Sequence, residues 1–227
     1  RGNRGRHHPQ RHPAVSLESC LERRDIWQGY KNTPTTGPTI ASGFDILDAH
    51  LPGGGWPLGA LTEILLEDIV HSPLWLVLPA LVTLAPRRRW QAWVTPPGIP
   101  YTPALHGAGL DVSKVLLVKA KNRAEALWAA EQSLRSGECS AVLCWPGQLK
   151  RAALRRLQLA AEHGRALGLC FRGLNAIDQP SMAALRLHCQ LTVDGANVDI
   201  LKCRGGALRE GLRVRRHLPP AVPPGTS

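Results

Sequence analysis

Long apolar runs are missing from this sequence. The longest, 69–85, is interrupted by His71, Ser72, Pro73, Pro79 and Thr83. It falls short of the roughly 20 apolar residues that cross a bilayer and reads as a buried helix. No apolar stretch follows the Arg- and His-rich first residues, so no secretory leader is expected. The six cysteines (Cys20, Cys139, Cys144, Cys170, Cys189, Cys203) include no Cys-x-x-Cys pair. Cys139 and Cys144 lack a second pair at ligand spacing, which argues against a zinc site. Thiols in apolar runs behave as small hydrophobes, and a reducing cytoplasm is the expected compartment. Gly-x-Ser-x-Gly is absent, so a hydrolase elbow is unsupported. The glycines from Gly53 to Gly59 miss the dinucleotide-binding spacing and precede a strand, so they read as a tight turn. None of His71, His106, His163 and His188 has a partner at a spacing that suggests catalysis. Residue 1 is Arg and the single Met is Met182, so a start beyond this sequence is expected.

What is present fits a globular domain that works by contact. The chain has 227 residues and 44% apolar content, enough for one packed α/β domain with tails. Seven Trp stand against two Tyr and two Phe, and Trp commonly anchors packing or interfaces. The net charge of +11 is uneven. Residues 1–31 hold seven basic and three acidic side chains, and residues 202–227 hold six and one. A near-neutral body with basic ends suits an acidic partner, nucleic acid or protein, or simply a solubilising excess.

Periodicity divides the chain into three parts: 1–38, a basic N-terminal arm with a short helix and a linker; 39–204, an α/β core; and 205–227, a basic, Pro-rich tail without fixed structure. In the arm, Ser16 caps a helix over 17–28 that carries Ile26 and Trp27. In the core, strands are expected over Ala60–Leu66, 91–95, 114–119 (KVLLVK, read as buried), 140–145 and 166–172. Helices are expected over Leu74–Leu84, 105–110, 123–136, 150–163 and 181–189. Gly164 stops the fourth of these, and a closing antiparallel pair covers 191–193 and 198–202. Alternating short strands and helices imply a mostly parallel central sheet flanked by helices.

The order of short motifs resembles RecA. The run Ile40-Ala41-Ser42-Gly43 to Leu47-Asp48, the turn Gly54 to Gly59, the strand ending Glu63-Ile64, and Leu110-Asp111-Val112 followed by Leu116-Leu117-Val118 all resemble that fold. More closely, LPGGGWPLGALTEIL (51–65), Pro96-Pro97 with Pro100-Tyr101, ALWAAEQSLRSG (126–137), RLQLAA (156–161) and ILKCRGG (200–206) resemble the ImuA family, related to RecA and SulA. The resemblance spans roughly 26–206. It implies a RecA-like core with a degenerate P-loop.

The nucleotide chemistry of such a core is missing. A phosphate loop needs Gly-x-x-x-x-Gly-Lys-Ser/Thr, whose backbone N–H groups and Lys hold phosphate. After Ile64 this chain reads Leu65-Leu66-Glu67-Asp68-Ile69-Val70-His71-Ser72-Pro73, and no Gly or Lys occurs over 60–97. Under the RecA resemblance, the strand that should end in a metal-positioning Asp ends Leu143-Cys144-Trp145-Pro146, and Pro96-Pro97 stands where a catalytic Glu would. These losses exclude ATP hydrolysis. The chain reads as no enzyme, with no cofactor, metal or catalytic residue.

The resemblance implies a non-catalytic accessory protein of SOS-induced translesion DNA synthesis that contacts RecA and an ImuB-like, Y-family-like polymerase homologue. The alternative is a SulA-like SOS inhibitor of cell division that binds the tubulin-like FtsZ. Candidate contacts for a partner or nucleic acid are Trp27, Lys202, Arg204, Arg209, Arg213, Arg215 and Arg216. The helix over 150–163 presents Lys150, Arg151, Arg155, Arg156 and His163 near one side, either as a plain solvated face or as a surface for phosphate or an acidic partner. The connections 146–149 and 173–180 are too short for the DNA-binding loops of a RecA filament.

Overall fold

The computed structural model describes residues 37–85 and 89–216. The segment carrying Trp27 lies outside them.

A short antiparallel pair opens the described chain. β1 (Thr39–Ile40) pairs with β2 (Trp56–Pro57), and α1 (Asp45–Asp48) lies between. Gly55 is obligatory here, because a Cβ on it would lie 2.1 Å from the Ile40 carbonyl oxygen. The main sheet has eight strands, in the order β10-β9-β8-β3-β7-β6-β4-β5. β3 is Ala60–Leu66, β4 Trp90–Val94, β5 Val115–Val118, β6 Cys139–Cys144, β7 Leu167–Gly173, β8 Leu185–Thr192, β9 Gly195–Cys203 and β10 Arg209–Arg215. β3 to β8 run parallel; β9 turns back antiparallel to β8, and β10 pairs antiparallel with β9.

Helices cover the two faces separately. α1, α2 (Leu74–Leu84) and α3 (Thr102–Gly107) pack on one, in a core with Ile64, Trp93, Leu143, Phe171 and Leu187. On the other, α4 (Arg123–Arg135) and α5 (Arg151–Gly164) pack over Leu61, Val94, Val142 and Cys170. β3 is buried at every position, as a central strand of a doubly covered sheet must be. The expected mixed α/β layering with a mostly parallel sheet is the one observed.

Four local expectations need correction. Residues 181–189 do not form a helix. Leu185, Leu187 and Cys189 are buried while Arg186, His188 and Gln190 point the other way, a period of two that builds β8. The KVLLVK segment is a strand, but an edge one: Leu116 and Leu117 are 41% and 46% exposed. Its lysines mark an exposed sheet border rather than the ends of a buried strand. Gly164 is the last residue of α5 rather than a stop beyond it, and the left-handed conformation that follows falls on Arg165 (φ 53°). Gly164 is needed for proximity, since a Cβ there would sit 1.8 Å from the Leu134 carbonyl oxygen of α4. Finally, the chain does not leave the fold at Gly205. Leu212 and Val214 are buried, and they carry Arg209–Arg215 into the sheet as β10.

Candidate partner-docking face

The six parallel strands all end at one border of the sheet, and five of them, ending at Leu66, Val94, Val118, Cys144 and Gly173, lead there into longer connections. In open α/β sheets this carboxyl border is where ligands bind. Three of the connections, after β3, β6 and β7, are tied by side chains. The loop after β3 is closed by Asp68, which accepts from the Val70 N–H (2.8 Å) and from His71 Nδ1 (2.7 Å). The His71 hydrogen bond, then that of Val70, holds the exposed Asp68 carboxyl below its usual range. Trp145, after β6, donates its indole N–H to Ser72 Oγ (2.9 Å) and stacks on Phe171 at 4.8 Å. The stretch where a phosphate loop would be sought is therefore a self-bonded turn carrying two carboxylates, Glu67 and Asp68.

Beneath the connection after β7 lies a buried charge cluster. Glu63, on β3, is fully buried. Arg172 Nη1 donates to its Oε1 at 2.5 Å, and Arg186 Nε lies 3.4 Å from its Oε2. The arginines spend their other donors on the loop above them. Arg172 reaches Gln179 Oε1 (2.9 Å), and Arg186 reaches the carbonyls of Ile177 (2.8 Å) and Ala176. A carboxylate and two guanidiniums this deep are tolerated only when each finds partners. Burial pulls the Arg186 guanidinium below its ordinary value, with Glu63 opposing. The cluster thus clamps 174–184 against the sheet. Around these tethered loops, Val70, Ile99 and Tyr101 stand exposed at 63%, 79% and 73%. Exposed apolar side chains grouped on a loop border suit contact with another protein.

The sequence-predicted contact residues do not gather into one patch. Trp27 is outside the described residues. Lys202 turns inward, and its ammonium donates to the Ser181 carbonyl (2.7 Å), with burial pulling its pKa down. Arg204 sits 3.5 Å from Glu162, and Arg213 bonds Asp194 at 2.9 Å. Arg209, Arg215 and Arg216 are exposed on or just beyond β10. Sequence reasoning missed the Glu63–Arg172–Arg186 cluster. Its signal was present, as single charges inside the otherwise apolar strands ALTEILL and LGLCFRG.

The model of the family described as "Cell division inhibitor SulA" matches residues 59–168, from β3 through α5 into the start of β7. The Cell division inhibitor SulA of Yersinia enterocolitica is 33% identical over 135 residues, 59% of this chain and 80% of that one. The chain belongs to the SulA family. A SulA of Klebsiella aerogenes is 31% identical over 137 residues, 59% of this chain and 81% of its own. The crystal structure of SulA from Pseudomonas aeruginosa is 32% identical and covers 49% of this chain and 97% of its own, with a TM-score of 0.42.

SulA membership corrects the expected partners. Association with RecA and an ImuB-like polymerase homologue rested on the likeness to ImuA, whereas the family and the relatives that match are division inhibitors. Of the two functions read from the sequence, the second, a SulA-like inhibitor, is the better supported. Either way the chain acts without catalysis: this is a family of inhibitors, not of enzymes. Among the described residues, no helix is long and apolar enough to cross a membrane.

Proposed function

We propose that this protein is a cytoplasmic, SOS-induced inhibitor of cell division that acts by binding the tubulin-like FtsZ. One observation carries the reading: a third of the residues are shared with a named division inhibitor across four-fifths of that protein's length. The physical features agree with a binding role. The matched segment contains the connections that bear Val70, Ile99 and Tyr101. The loop bearing Val70 is held by Asp68 and by Trp145, so it loses little freedom on association, which favours affinity from a modest surface. The absence of Gly and Lys from 60–97 supports a RecA-like core with a degenerate phosphate loop, so that inhibition depends on occupancy rather than on a nucleotide cycle. ImuA-like features in the sequence are then marks of shared descent.

Expression of the protein in its host tests the reading. Rod-shaped cells are expected to grow into undivided filaments, and a variant with Val70, Ile99 and Tyr101 all changed to Ser is expected to leave division intact. Normal division at high levels of the unaltered protein would contradict it.

A further inference from the structure

The outer surface of α4 and α5 carries features that the loop border does not use. Trp128, Glu131 and Arg135 follow one another at i, i+3 and i+7 on α4 and share a face. Trp128 is 63% exposed, unusual for the largest apolar side chain. Leu159, on α5, is 51% exposed. Between the helices runs a groove of about 330 Å³, lined by Glu131, Arg135, Arg156, Leu159, Ala160 and His163. Arg156 folds over Glu131, its Nε and Nη2 at 2.9 and 2.8 Å from one carboxylate oxygen. That contact neutralises the acid of the groove. Among the described residues, no acid pairs with Arg135 or His163.

We propose that this groove docks an acidic peptide segment carrying a bulky apolar residue. The apolar residue packs on Leu159, Ala160 and the exposed indole of Trp128. A carboxylate on the same segment meets the guanidinium of Arg135, whose planar fork matches carboxylate geometry. Charge selects the occupant: with Glu131 paired to Arg156, the guanidinium of Arg135 is left as the uncompensated charge of the groove. A nucleic-acid backbone fits less well, because it requires a longer run of cations than Arg135 supplies, and it has no apolar group to set on Leu159 and Ala160. An amphipathic segment laid along two parallel helices is an established way for a groove to bind a peptide. This surface lies apart from the carboxyl-border loops, and the proposal stands or falls separately from FtsZ binding.

The test is fluorescence anisotropy with the full chain and a short fluorescein-labelled glutamate–leucine peptide. Its lysine–leucine counterpart, polyglutamate and a single-stranded oligonucleotide serve as competitors. The expected result is saturable binding that weakens about tenfold or more in Trp128→Ala and in Arg135→Glu, a loss of about 1.4 kcal/mol or more. None of the three competitors is expected to displace the peptide at matched charge. Both positions are exposed, so unchanged circular dichroism melts are expected for both variants. Equal binding by the variants, or displacement by polyglutamate or the oligonucleotide as readily as by unlabelled peptide, would overturn the proposal.

Discussion

Two sets of single residues carry sharp expectations. Glu63 balances two buried arginines, and Glu63→Gln keeps the shape but removes the charge. Arg172 and Arg186 would then face each other across a neutral amide, and breaking a buried ion pair in this way costs roughly 3–5 kcal/mol. Urea denaturation should record that loss, and limited proteolysis should open the 174–184 connection; a change below about 1 kcal/mol would refute the clamp. The thiols sort by environment. Burial pushes Cys189 up to about 12; the hydrogen bond with Cys144, and then burial, raises Cys170 well above the ordinary thiol value; Cys203 is only half buried. The thiolate is the reactive form. Brief alkylation of the native protein near neutral pH, read by peptide mass spectrometry, should therefore label Cys203 ahead of Cys139, Cys144, Cys170 and Cys189. Early labelling of Cys189 would contradict this packing.

At the scale of elements, α4 and α5 meet closely because Gly164 has no side chain. Gly164→Ala puts a methyl group into the Leu134 carbonyl, so the helices must separate. The expected loss is on the order of 1–3 kcal/mol, visible as a lowered melting temperature; an unchanged or raised melt would show that the contact is loose. The same scale marks how far the sequence was readable. Both long helices α4 and α5 and the strands β3, β4, β6 and β7 announce themselves, because apolar periodicity and burial coincide there. β8 was misread because Ala183 and Ala184, just before it, extend an apolar run that also suits a helix, masking the alternation from Leu185 onward. β10 was missed because five of its seven residues face solvent, and only Leu212 and Val214 hold it. The basic residues on 202–216 were visible as charge, but their ties to Ser181, Glu162 and Asp194 are long-range contacts that spacing does not encode.

For the whole molecule, the claim is that a sheet without nucleotide chemistry has become a rigid platform for binding another protein. A platform inhibits in proportion to occupancy, whereas an enzyme acts at substoichiometric levels. The most direct measurement is the GTPase rate and sedimentable polymer of purified FtsZ, titrated with this protein in the absence of ATP. Both are expected to fall together and level off near equimolar protein, with ATP making no difference. Undiminished GTPase rate and polymer in the presence of excess folded protein would contradict it.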